Sequence, residues 1–302
     1  MTRPAVIAAT DRTPRSDHVL ARAAEVARRL QARLVVAHVA PPPSAETASK
    51  AQAKSKAKPA GAPGLSALGG IGRKLKSRMA AAPSLRDLDE IEAEARALDP
   101  DAVLHRLQGD PAEALASLAA QEAAVLVVLG LHRERRGLDA LRLTTMERIV
   151  QALTAPVLIA VQPPERPWRV VLALTDFSPG SAASLALAAR LAPEARFQAL
   201  HMLTLPLGAR FRPDDPACDA EITRAERARD GFLMTPGLPA LDESPLMVPG
   251  NLHQLLSVRS AELDADLVCI GLNSGRDGYR LGNYARDLLR APPIDLLIGR
   301  AG

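Results

Sequence analysis

The sequence repeats itself, and the repeat limits what the chain can fold into. Residues 5–11 read AVIAATD and residues 170–176 read VVLALTD, each an apolar run closed by Thr-Asp. A hydroxyl residue and a proline follow both times, Thr13-Pro14 and Ser178-Pro179. That pairing suits a helix start, with the hydroxyl as N-cap and the proline at the first helical position. Apolar stripes at helical spacing come next: Val19, Ala23, Ala27 and Leu30 in one copy, Leu185, Ala188, Leu191 and Ala192 in the other. LVVAHV at 34–39 answers FQALHM at 197–202, and LVVLGL at 126–131 answers LVCIGL at 267–272. Gly130/Gly137 and Gly271/Gly278 recur at one interval, and the copies close with PVLIAV at 156–161 and DLLIGR at 295–300.

Within each copy, short apolar runs alternate with helical stretches. Strands buried on both faces and separated by helices imply a parallel sheet, hence a doubly wound α/β domain. A length of 302 residues suits two such domains. The proline-rich stretch QPPERP at 162–167 reads as the linker, giving a first domain over 1–161 and a second over 168–302. The third strand is expected at Val103–Leu107 and Pro245–Val248. Ser84 with Asp87 resembles a capping box opening a helix with Leu85, Leu88, Ile91 and Leu98 inward. GDPAEAL at 109–115 and PGNLHQLL at 249–256 read as turn-and-cap openings of the helix before strand four.

Composition removes several function classes. Two distant cysteines, Cys218 and Cys269, give neither a disulfide scaffold nor a thiolate zinc site, and they fit a reducing compartment. Apolar runs are too short to span a bilayer, and a strand-like run begins within a few residues of Met1, so a cytoplasmic chain without a signal peptide is expected. Seven aromatic residues argue against a base-stacking platform. The net charge of +4 is local: all six lysines lie between Lys50 and Lys76. The rest of the chain is slightly acidic, so no specific nucleic-acid partner is expected. No G-x-S-x-G, H-E-x-x-H or Walker A pattern occurs, which argues against an enzyme.

The Thr-Asp strand ends, the glycine loop after strand four and the closing P-V-L-I strand resemble the universal stress protein family, twice over in one chain. The resemblance covers nearly all of both halves except an insertion at 41–83. It implies two Rossmann-like domains related by a pseudo-two-fold axis, each a five-stranded parallel sheet ordered 3-2-1-4-5. That order sets a crevice between strands one and four. The resemblance assigns Asp11 and Asp176 to the adenosine part of a nucleotide, with the backbone of Val39 and Met202 near the base. The family's phosphate loop, G-x2-G-x9-G-[S/T], becomes Gly130, Arg133, Leu143 and Thr144 in the first copy. In the second it becomes Gly271, Ser274 and then Gly282-Asn283 after a two-residue deletion. Side chains at 133 and 143 crowd a cradle that needs bare backbone. ATP binding, with any accompanying Mg2+, is therefore expected to be weak or absent. Arginines 133, 135 and 136 form either an anion-binding set or a solvated charged loop.

His38 and His201 hold matching places after strand two, without the companions nucleophilic catalysis needs, and read as packed or hydrogen-bonded histidines. Asp11 and Asp176 have a second reading as caps of free N–H groups. Members of the family often dimerise through the last strand, so 156–161 and 295–300 are expected to pair within the chain, with Arg300 at the end of that seam. Residues 41–64 read as a mobile loop. Residues 65–80 carry an apolar stripe (Leu65, Leu68, Ile71, Leu75, Met79) beside basic residues, suiting either an anionic surface or an extension of the next helix. Two functions stay open. One is a non-catalytic scaffold for a protein partner, with degenerate clefts; the other is an ATP-responsive stress regulator.

Overall fold

The computed structural model describes residues 3–13, 17–40, 86–131, 144–205, 216–272 and 283–300. The ten strands among the described residues are β1 Ala5–Ala9, β2 Arg33–Ala40, β3 Val103–Gln108, β4 Ala124–Gly130, β5 Val157–Ala160, β6 Val170–Leu174, β7 Arg196–Leu203, β8 Leu246–Pro249, β9 Leu267–Gly271 and β10 Asp295–Gly299. The helices among the described residues are α1 Asp17–Arg29, α2 Leu88–Leu98, α3 Pro111–Gln121, α4 Thr145–Ala152, α5 Pro179–Leu191, α6 Pro216–Leu233, α7 Leu252–Leu263 and α8 Asn283–Arg290.

The strands form one sheet in the order β3-β2-β1-β4-β5-β10-β9-β6-β7-β8. Each half therefore runs 3-2-1-4-5, the second mirrored onto the first, and pairing within each half is parallel. The halves meet at β5 and β10, which pair antiparallel with Leu297 opposite Leu158. This junction closes an apolar edge in each half that would otherwise invite pairing with another chain.

Strand side chains alternate between two cores. Val6 and Ala8 join Leu34, Val36 and the inner stripe of α1, whereas Ala5 and Ile7 join Val35, Ala37 and the faces of α3 and α4. Both cores run on into the second half, so the sheet is covered on both faces along its length. The stripes Val19/Ala23/Ala27/Leu30 and Leu185/Ala188/Leu191/Ala192 are buried, as the periodicity requires. Two contacts demand glycine. A Cβ on Gly271 would sit 2.3 Å from the Ser181 backbone nitrogen, and one on Gly299 would sit 2.3 Å from Ser184 Cα. Here α5 rides directly on β9 and β10.

Local chemistry explains most helix starts and revises one expectation. Ser178 caps α5, accepting from Ser181 N–H, with Pro179 at the first position. Asp110 and Asn251 cap α3 and α7. In the first half the described part of α1 begins at Asp17, and Pro14 lies outside the described residues. There Thr13 turns its N–H and hydroxyl back to Asp11. The expected capping box at Ser84 and Asp87 is not what opens α2. Asp87 is itself the N-cap of α2, accepting from Asp89 N–H, and Leu98 at the helix end is exposed. Ile91 is buried and Leu88 packs half-buried against the core, as expected, with Ala95 completing the face. Ser84, Leu85 and the whole insertion lie outside the described residues.

Candidate functional site

Both strand-one ends carry the same hydrogen-bonded turn. The last rung is Thr10 N–H to Ala37 O in one half and Thr175 N–H to Leu200 O in the other, each 2.9 Å. The threonine hydroxyl then accepts from the N–H two residues on, Arg12 at 3.0 Å and Phe177 at 2.8 Å. Those residues hold φ of 64° and 61°, a left-handed conformation that costs a side-chain-bearing residue about 1–2 kcal/mol. The aspartates offset that cost. Asp11 Oδ1 accepts from Thr13 N–H at 2.9 Å and its hydroxyl at 2.7 Å. Asp176 Oδ1 accepts from Ser178 N–H at 3.0 Å and Ser181 hydroxyl at 2.7 Å. The Asp176 carboxyl feels burial pushing it up, but the Ser178 and Ser181 hydrogen bonds outweigh this and hold it below the usual range.

The two histidines brace the same turns. His38 Nδ1 lies 3.0 Å from Thr10 O and His201 Nδ1 2.8 Å from Thr175 O, and the His201 ring stacks on Phe177 at 4.5 Å. They pin strand two to the turn after strand one. Cys269 is fully buried, and burial pushes its thiol up to about 12, so it carries no thiolate at neutral pH.

A cavity of about 200 Å³ opens beyond the carboxyl ends of β1 and β4. Asp11, Thr10 and Thr13 form one wall, Ala37 and Val39 the strand-two side, and Gly130 and Leu131 the strand-four side. Pro111 and Leu115 of α3 and Thr145, Met146 and Ile149 of α4 close it. Of these residues Asp11 alone is titratable, and it is exposed at the mouth. Sequence reasoning reached Asp11, Val39 and Gly130 but missed the helical wall. The spacing Pro111/Leu115 and Met146/Ile149, one helical face in each case, was the available signal.

The phosphate-loop positions are placed unevenly. Arg133 and Leu143 in the first half, and Ser274 and Gly282 in the second, lie outside the described residues, as do Gly137 and Gly278. Thr144 is the N-cap of α4: its hydroxyl accepts from Glu147 N–H at 3.1 Å, and Glu147 Oε2 accepts from Thr144 N–H at 2.5 Å. Its neighbour Thr145 faces the crevice instead. Asn283 opens α8 at the corresponding place in the second half.

The second half departs from the first around the same point. Tyr284 stands where the first half has Thr145 and packs against the core on its face of the sheet. Its hydroxyl is buried with no hydrogen-bond partner among the described residues, and burial pushes its ionisation well above the usual range. His253 at the start of α7 stacks edge-on against it at 4.9 Å and reaches Asp287 at 3.1 Å. Gly271 abuts the backbone of Gly180 and Ser181. Leu272 is buried, while its counterpart Leu131 lines the first crevice.

Residues 3–161 match the universal stress protein family. The chain belongs to that family. Its second half repeats the fold, so this is a tandem universal stress protein. A universal stress protein from Archaeoglobus fulgidus DSM 4304 aligns over 100% of this chain and 97% of its own, at 13% identity and a TM-score of 0.63. A putative universal stress protein from Pseudomonas aeruginosa UCBPP-PA14 aligns over 99% and 93%, at 16% identity and a TM-score of 0.59. Both are likenesses of fold. Comparison of the sequence with curated proteins gives no match. No helix among the described residues of this universal stress protein is long and apolar enough to cross a membrane.

Proposed function

We propose that this tandem universal stress protein is a non-catalytic, cytoplasmic nucleotide-responsive module in which only the first half holds a ligand. The carrying observation is the first crevice, apolar on its helical side with one carboxylate at its mouth. That chemistry fits a nucleoside: Ala37, Val39, Leu115 and Met146 offer surface to a base, and Asp11 can accept from ribose hydroxyls. The phosphate part fits poorly. Gly130 is kept, but Arg133 and Leu143 replace the glycines of the family pattern, and Thr144 is committed to capping α4. ATP, with Mg2+ on its phosphates, would therefore gain little over adenosine.

The second half reads as the scaffold partner. Tyr284 adds a phenol where the first crevice has threonine, and Leu272 is buried where its counterpart Leu131 lines the crevice. The unit boundaries 1–161 and 168–302, joined by 162–167, belong to this reading. The absence of catalysis rests on the chemistry available among the described residues: a crevice lined by one titratable side chain, His38 and His201 engaged with backbone carbonyls, and a buried thiol.

Calorimetry with adenosine and with Mg-ATP tests the proposal. Both ligands should bind the intact protein with affinities within about tenfold of each other, a difference of about 1.4 kcal/mol. Asp11→Ala should abolish binding and Asp176→Ala should leave it intact. Tight, Mg-dependent ATP binding that Asp176→Ala removes would overturn it.

A further inference from the structure

The seam between the halves lies on a pseudo-two-fold axis, yet the residues that meet there are not alike. Gly130 pairs with Ala160 across β4 and β5, and Gly271 pairs with Gly299 across β9 and β10. Counting back equally from Ala160 and Gly299 reaches Glu147 on α4 and Arg286 on α8. These equivalent positions face each other. The Glu147 side chain has 0% exposure, and its Oε1 lies 3.8 Å from Arg286 Nε and 3.4 Å from Arg290 Nη2. That oxygen has no hydrogen bond among the described residues, where the two arginines are its electrostatic partners.

A second, separate pair follows the same logic. Asp295 opens β10 where the first half has Pro156. It is fully buried, accepts from Val161 N–H at 2.7 Å, Gln162 N–H at 2.8 Å and Trp168 Nε1 at 2.9 Å, and lies 3.4 Å from Arg22 Nη2. Arg22, on α1, is fully buried too, and its second-half counterpart is Leu187.

In a symmetric dimer, a position on the axis meets its own copy. Two first halves would set Glu147 against Glu147 and leave Arg22 facing Pro156, with Glu25 of its own helix, 2.6 Å away, as its remaining ionic partner. Two second halves would set Arg286 against Arg286 and leave Asp295 facing Leu187. Each alternative buries an uncompensated charge, which costs several kcal/mol. We propose that Glu147 with Arg286 and Arg290, and Asp295 with Arg22, are specificity-determining residues. They commit each last-strand edge to the unlike half and bar pairing with a like half of a second copy.

Variants of the full chain, followed by urea unfolding, test this. Arg286→Gln with Arg290→Gln leaves Glu147 buried and unpaired, and should lower the folding equilibrium constant roughly a hundredfold. Adding Glu147→Gln, which keeps an acceptor for Thr144 N–H, should recover at least tenfold of that loss. Arg286→Glu with Arg290→Glu gives the second half the charge of the first, so it reads the cost of a like pairing directly. It should be at least tenfold worse than the glutamine pair and should improve when Glu147→Gln is added. If the glutamate pair does not fold, Arg290→Glu alone against Arg290→Gln gives the same comparison. Equal losses for glutamate and glutamine, or a Glu147→Gln effect that merely adds to theirs, would overturn the proposal.

Discussion

The indole N–H of Trp168 donates to Asp295 Oδ2 across 2.9 Å, joining the residue just after the linker to the first residue of the last strand. The Arg22 guanidinium lies 4.6 Å from the Trp168 ring centroid and also donates to the linker carbonyl of Pro163 at 3.0 Å. One polar knot thus fastens α1, the linker and β10. Burial pushes the Asp295 carboxyl up; the donors from Gln162, Val161 and Trp168 and the charge of Arg22 pull it back only in part.

Trp168→Phe removes a donor from that buried carboxylate and should cost about 1–3 kcal/mol in urea unfolding. In an Asp295→Asn background the same change should cost about 1 kcal/mol less, because the lost donor no longer serves a charge. Identical costs in both backgrounds would mean the tryptophan acts by packing alone.

The close approach of α5 to β9 and β10 makes Gly271→Ala and Gly299→Ala expensive. The added methyl meets backbone at Ser181 and Ser184. Each should lower stability by about 1–3 kcal/mol or more, because a helix must move to admit it. Thermal melts of the two variants check this.

Ala123 sits just after α3 with φ of 48°. Ala123→Gly should therefore stabilise the chain by about 1 kcal/mol, in contrast to the usual cost of a new glycine. Denaturant midpoints of wild type and variant supply the comparison.

Asp176 gives a pH signature. Its folded-state carboxyl is held below the usual range. The stability it contributes is therefore present above the unfolded pKa and is lost as pH falls through the depressed folded value. The stability difference between wild type and Asp176→Asn should be constant above about pH 5 and shrink below about pH 4. A difference that grows toward acid would contradict the hydrogen bonds from Ser178 and Ser181.

The repeat made the sheet order and the strand-one turns legible, because Thr-Asp and the glycines recur at fixed intervals in both halves. The pairing of β5 with β10 could be anticipated from two apolar edges with no other cover. What escaped was tertiary. Nothing local to Glu147 says that it meets Arg286, since their facing depends on the two-fold relation of α4 and α8. Leu98 fits the helical stripe of α2, yet it lies on the last turn, past the reach of the sheet. Thr144 matched a motif position, but the backbone at the start of α4 claims its hydroxyl first.

Methionine methyl NMR on the full chain tests the central claim most directly. Met146 lines the first crevice, whereas Met202 holds the second-half position matching Val39. Titrating adenosine into protein carrying 13C-methyl methionine should move the Met146 signal saturably and leave Met202 and Met247 in place. Saturable movement of Met202 with Met146 unmoved, or no movement of either at millimolar adenosine, would contradict the account.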